Sequence, residues 1–308
     1  AIKWLRHPQC IKYFNQEIAI LSSIKKLRIR NVISLQNCVK PTMSERAIVV
    51  LGMAFPLCTP LDNEIISAFS LTTVQKIIEN IATALSKIHA INIIHFDVST
   101  ENILLYPNTK EPVLIDFGHS QIVQPGSTIE FDCGTPGYTA PEVYAGELAR
   151  PEADMYSLGV VLIHFLIPHL FTGEMKDDML IEWNSSSRSV IVDQVRETME
   201  SLCKDSEQVA TDQLKFLCTS ALGMTSKYFY KRRSHFGSLA IRTQPKQKLL
   251  SKRRQKKKNT LLRSALTNEV RLHDQESKPD LGQSCPQTDL NVTNSVPQLQ
   301  STQLFALV

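Results

Sequence analysis

The sequence predicts an α+β protein, and three observations carry that expectation. Short β-type segments sit at Asn31–Val39, Ala47–Met53, Ile103–Leu105 and Val113–Ile115, the second rich in Val and Ile. Two segments, Tyr13–Lys25 and Thr72–Ala90, repeat their apolar residues at helical spacing. A stretch from Met155 to Gly173 contains no Asp, Glu, Lys or Arg. It is long enough to span a bilayer. It also holds Ser157, His164, Pro168 and His169 and follows Asp154 directly, so a helix buried on all sides by protein is the preferred reading. In that reading His164 and His169 are core or helix-end groups rather than metal ligands.

In chain order, Ala1-Ile2-Lys3 reads as the end of a strand. In Tyr13–Lys25, Ile18, Leu21 and Ile24 recur at three-residue steps. Thr72–Ala90 is the cleanest helix: Val74, Ile77, Ile78, Ile81, Leu85 and Ile88 form one stripe, and Thr72 with Gln75 would make a capping box. Pro107-Asn108 marks a turn between two short strands. Further helices are expected from Glu142, Asp154, Val190 and Asp212, with the globular part ending near Ile241. Beyond it, Thr243–Lys258 is basic and polar, Leu261–Leu272 could form a short helix, and Asp274–Thr302 has a disordered composition.

The net charge of +4 conceals an asymmetry. Residues 227–263 carry fourteen Lys or Arg and no acid, which leaves the rest of the chain net negative by ten. Lys252-Arg253-Arg254 and Lys256-Lys257-Lys258 fit a nuclear-import or polyanion-binding patch, and equally a solvated tail; the first reading favours the nucleus over the cytoplasm. The seven Cys residues show no C-x-x-C spacing and no apolar leader begins the sequence, which points to a reducing cytosolic or nuclear compartment. The Asn291-Val292-Thr293 sequon is then a chance match.

Three motifs bear on chemistry: His95-Phe96-Asp97-Val98-Ser99-Thr100-Glu101-Asn102, then Asp116-Phe117-Gly118, then Ala140-Pro141-Glu142. Carboxylate, amide and second carboxylate in this order are hard oxygen donors suited to Mg²⁺ beside a phosphate. On these residues the chain resembles the eukaryotic protein kinase superfamily over about residues 1–241. The resemblance implies a bilobal protein-kinase-like fold, with a partial small β lobe at residues 1–53 and a mainly α-helical large lobe at 54–241. Residues 242–308 form the basic and then disordered tail. It further implies serine/threonine kinase activity, with ATP and Mg²⁺ as cofactors and protein Ser/Thr hydroxyls as acceptors.

Residue by residue, the resemblance makes Lys3 the strand lysine that contacts the nucleotide phosphates and Glu17 its ion-pair partner. Asp97 becomes the group that accepts or orients the hydroxyl proton, and Asn102 and Asp116 the metal ligands. Leu51, Met53 and Leu104 would line the nucleotide. Cys133–Glu142 resembles the substrate-docking loop of serine/threonine kinases, with Thr135 bonding toward Asp97. Asp154 would anchor the catalytic-loop backbone, and Glu142 would pair with Arg233. Glu101 occupies a position that reads substrate arginine in many basophilic kinases, and Ser127 and Thr128 are candidate phosphosites.

Three departures weigh against full activity. Phe96 replaces the arginine that grips an activation-segment phosphate. Ser99 replaces a lysine near the transferred phosphate, and a lost donor of this kind can cost about 10²–10³ in rate. No Gly-x-Gly-x-x-Gly occurs in the chain, which also lacks an initiator Met, so a fragment with weak catalysis is expected. The alternative is a pseudokinase that acts as a scaffold or allosteric partner. A small-molecule kinase is disfavoured by Ala140–Glu142 and Asp154. Asn31–Val39, Asp97-Val98, Val113–Gln121 and Gly134–Tyr138 are also similar to the replication-initiating cell-division-cycle kinases. That likeness implies a regulatory subunit and chromatin substrates.

Overall fold

The computed structural model describes residues 1–5, 7, 10–39, 52–124, 134–147, 150–171, 193, 196–198, 200–201, 208–226 and 229–242. The first strand, β1 (Ile2–Trp4), leads to helix α1 (Ile11–Lys26), then β2 (Asn37–Val39) and β3 (Gly52–Ala54). These strands form one antiparallel sheet in the order β1-β3-β2, with Lys3 opposite Met53 and Cys38 also opposite Met53. Helix α1 buries Phe14, Ile20, Leu21 and Ile24, so one apolar stripe fixes its face.

The larger part follows with α2 (Asn63–Ser67), α3 (Leu71–His89), β4 (Ile93–Ile94), β5 (Ile103–Leu105), β6 (Pro112–Leu114) and β7 (Gln121–Ile122). It continues with α4 (Pro141–Tyr144), α5 (Glu152–Leu166), a 3₁₀ turn at Pro168–Phe171, α6 (Gln208–Met224) and α7 (Phe229–Arg242). Strands β5 and β6 pair as a hairpin with Leu104 opposite Val113, and β4 pairs with β7. The architecture is α+β, with a small three-stranded sheet and one helix followed by a mainly helical lobe, as expected.

Helix α5 occupies the core of that lobe and packs against α3, α6 and α7. It is buried from Glu152 to Phe165, which is why its sequence is apolar on every side. Gly159 permits the close crossing, since a Cβ there would lie 2.8 Å from Met224 Cβ. Among the described residues no helix is long and apolar enough to cross a membrane.

Several local expectations are corrected. Helix α3 is capped by Ser70, whose hydroxyl accepts from Thr73 N at 3.2 Å, and not by Thr72 with Gln75. Gln75 instead donates to Glu79 at 2.7 Å and accepts from Gln213 at 2.8 Å. Of the expected Asn31–Val39 strand only Asn37–Val39 pairs as a strand, while Val32 makes an isolated bridge to Leu114. Asn31 adopts a left-handed backbone (φ 62°), which asparagine tolerates, and its amide donates to Pro112 O at 2.7 Å. Helix α6 begins at Gln208 rather than Asp212. Of the helix expected from Val190, the described residues 193, 196–198, 200 and 201 are helical. The Ala47–Leu51 part of the third strand, Ser127, Thr128, the basic cluster and the tail lie outside the described residues.

Candidate active site

Alternation along β1 turns Ile2 and Trp4 outward, 48% and 45% exposed, and Lys3 inward. Its Nζ lies 2.8 Å from Glu17 Oε2 on α1 and 2.7 Å from Asp116 Oδ1. Burial opposes the Lys3 charge, but the two carboxylates outweigh it and raise its pKa above the ordinary lysine value. Glu17 is pushed up to about 6 by burial, which the ammonium offsets only in part. For Asp116 the balance is reversed. Burial pushes it up, while Lys3 and the Gly118 N–H, 3.1 Å away, hold it below the usual carboxylate range.

The loop between β4 and β5 carries Asp97. Asp97 Oδ1 accepts from Thr135 Oγ1 at 2.6 Å, and Oδ2 accepts from Asn102 Nδ2 at 2.8 Å. Asn102 Nδ2 also donates to the Asp97 carbonyl at 2.8 Å, which closes the loop on itself and leaves the amide oxygen as acceptor. Ile115 N donates to Asn102 O at 2.9 Å, so the residue before Asp116 is tied to the same loop.

Asp154 at the start of α5 holds this loop from inside. It accepts from His95 N at 2.9 Å, Phe96 N at 2.8 Å and His89 Nε2 at 2.7 Å. Full burial would raise the Asp154 pKa, but these partners, His89 first, keep it low. Phe96 has a left-handed backbone (φ 63°), a conformation that costs on the order of 1–3 kcal/mol. The two N–H bonds to Asp154 stabilise it. His95 accepts from Asp97 N through Nδ1 at 3.2 Å, so Nε2 carries the proton and donates to Ile115 O at 3.0 Å. Burial lowers its pKa and keeps the ring neutral.

The expected cluster is therefore assembled: Lys3, Glu17, Asp97, Asn102, Asp116, Thr135 and Asp154 share one connected network. Met53 is fully buried opposite Lys3, and Leu104 is buried in β5 two residues after Asn102. Leu51 lies outside the described residues. One expected partner is wrong. Glu142 pairs with Arg232, not Arg233, through a fork at 2.5 and 3.2 Å. Arg232 shares the buried stripe of α7 with Phe236 and Leu239, four and seven residues on, whereas Arg233 is turned about 100° away. Arg233 reaches Glu152 instead.

Two residues escape a reading of the sequence. Gln16 donates to Ser120 O at 2.8 Å and ties α1 to the segment after Gly118. His119 Nδ1 accepts from Gly134 N at 3.3 Å, one residue before Thr135, and lies 3.7 Å from Asp97 Oδ2. The shorter contact and the donor chemistry favour the Gly134 bond over an ion pair. Ser99 is fully buried, and its hydroxyl has no partner among the described residues.

For a cation, no group of three or more His, Cys, Asp or Glu among the described residues could hold a metal ion alone. The donor set fits Mg²⁺ differently. Mg²⁺ is bound by one or two carboxylates plus substrate phosphates, and Asp116 with Asn102 supplies that complement.

Residues 1–233 match the family model described as the protein kinase domain. The chain is 36% identical over 113 residues to the SNF1-like protein kinase ssp2 of Schizosaccharomyces pombe, covering 36% of this chain and 19% of that one. It is 38% identical over 99 residues to the carbon catabolite-derepressing protein kinase of Saccharomyces cerevisiae, covering 31% and 15%. Against myosin light chain kinase A of Dictyostelium discoideum it is 35% identical over 96 residues, covering 30% and 32%. The matched part spans about a third or less of the length of each of these relatives.

Proposed function

Because the chain belongs to the protein kinase family, we propose that it is the catalytic part of a serine/threonine kinase that transfers the ATP γ-phosphate to protein hydroxyls with Mg²⁺. The single observation that carries this reading is the network around Asp97. Its two oxygens are oriented by Thr135 at 2.6 Å and Asn102 at 2.8 Å, within the unit that also holds Lys3 and Asp116. A scaffold has no need to keep these five chemical positions in register, and the relatives it resembles carry the name of kinase.

Bound Mg-ATP supplies the phosphoryl group and the charge that offsets its oxygens. Lys3, kept protonated by Glu17 and Asp116, is a cation available to the nucleotide phosphates. Asn102 and Asp116 are the metal-facing donors. Asp97 takes the proton of the substrate hydroxyl as the new oxygen–phosphorus bond forms and the bond to the departing ADP breaks. Thr135 and Asn102 fix the direction of its carboxylate, so little reorientation is needed at that moment. Ser99 supplies no cation beside this group, and Phe96 supplies none for an activation-segment phosphate, so basal turnover is low and independent of such a phosphate.

The test is phosphate transfer from Mg-ATP to Ser/Thr peptides by the purified protein. Asp97→Asn is expected to remove at least about 10² of the rate, the scale of a general base. Nucleotide binding with no transfer above the Asp97→Asn background would return the scaffold reading.

A further inference from the structure

Four polar side chains that no step above uses are joined inside the helical lobe. Tyr138 OH donates to His164 Nδ1 at 2.6 Å, and His164 Nε2 meets Asn63 Oδ1 at 2.8 Å. Thr100 Oγ1 lies 3.0 Å from Tyr138 OH and 3.4 Å from His164 Nδ1. A histidine that accepts at Nδ1 carries its proton on Nε2, so the donors run in one direction from Thr100 to Tyr138 to His164 to Asn63. Such a chain polarises each of its bonds. Thr100, Tyr138 and His164 are all buried, and the imidazole stacks on Phe171 with ring centres 4.2 Å apart.

His164 lies in α5, among Ile163, Phe165 and other fully apolar neighbours. A polar ring there is costly unless every nitrogen is paired. What it pairs with is informative. Thr100 is three residues after Asp97 and two before Asn102, and Tyr138 is three residues after Thr135. The docking loop between Thr135 and Thr139 is itself one tight unit, because Thr135 O accepts from Tyr138 N at 3.1 Å and from Thr139 Oγ1 at 2.9 Å. The two loops are thus joined twice, by Thr135 on Asp97 at the site and by Tyr138 with Thr100 on His164 in the interior.

We propose that His164 is a positioning residue for phosphoryl transfer: by accepting the Tyr138 hydroxyl it clamps the docking loop to the catalytic loop and keeps Thr135 on Asp97. This rests on the kinase reading of Asp97, so its test includes a measurement that needs no catalysis. Amide hydrogen exchange across residues 134–142 would be followed in the wild type, His164→Leu, Tyr138→Phe, the double variant and His164→Asn, which restores an acceptor.

Each single loss is expected to speed exchange at 135–139 by about tenfold, the scale of one neutral hydrogen bond. The double variant should be no faster than either single, and His164→Asn should return toward wild type. In parallel, kcat on a peptide falls while KM for ATP is unchanged. Unaltered exchange, additive effects in the double variant, or a change confined to KM for ATP overturns the proposal. Should His164→Leu not fold, Thr100→Val and Tyr138→Phe, each losing only a hydroxyl, carry the same measurement: faster exchange at 135–139 supports the clamp and unaltered exchange overturns it.

Discussion

At the scale of single residues, Glu142 shows how much depends on which of two adjacent arginines faces inward. Arg232 is fully buried, donates to both Glu142 oxygens, and also reaches Ser226 O at 2.5 Å while lying over the Tyr156 ring. Removing it strands a buried carboxylate, so Arg232→Met should lower stability by about 3–5 kcal/mol in chemical denaturation. Combining it with Glu142→Leu should recover most of that loss, because both charges then leave the interior together. A recovery seen instead with Arg233→Met and Glu142→Leu would favour the Arg233 pairing. The α7 stripe of Arg232, Phe236 and Leu239 is visible in the sequence. It separates the two arginines by the helix face each occupies, which proximity to a motif cannot do.

At the scale of elements, the helices are legible where periodicity is long. The α3 stripe from Val74 to Ile88 is buried as its spacing implies. Its start is ambiguous in the sequence because Ser70 and Thr72 are both good caps, and only the backbone decides which one is extended at the boundary. Ser70 is, with φ −70° and ψ 155°. Ser70→Ala is therefore expected to cost about 1 kcal/mol, and Thr72→Ala only a few tenths, as read by the thermal midpoint. Equal losses would reinstate Thr72. Among the described residues the strands are two or three residues long, too short for alternation to specify them, and their ends follow pairing with a neighbour rather than local preference.

At the scale of the whole molecule, the Lys3–Glu17–Asp116 cluster joins the small sheet and α1 to the lobe that carries Asp97. Burial raises the Glu17 pKa from an ordinary value near 4.5 to about 6, and the sign of the consequence follows. Between these values the folded protein binds more protons at Glu17 than the unfolded chain. Its contribution to stability is greatest in acid and is lost as pH rises toward about 6. The ion pair with Lys3 runs the other way, since it is complete only above about pH 6. KM for ATP should accordingly rise as pH falls through about 6, while Glu17→Gln should show a high KM with little pH dependence there. Asp116, held low, and Lys3, held high, do not titrate in that window. A wild-type KM that is flat from pH 5 to pH 7 would refute the assignment.

The sequence alone determined the chemical parts list, because the carboxylates, the amide and the loop motifs of the proposed site are set by residue type and order along the chain. It also determined the central helix, whose lack of charge from Met155 to Phe165 is a direct trace of burial on all sides. Only the tertiary structure decided the partners that no stripe announces: Gln16 on Ser120, His119 on Gly134, and His164 between two loops. Those contacts join residues brought together by packing across distant stretches of chain. A hydrogen bond leaves no periodic trace in either stretch, so the sequence records each donor and each acceptor but not which one meets which.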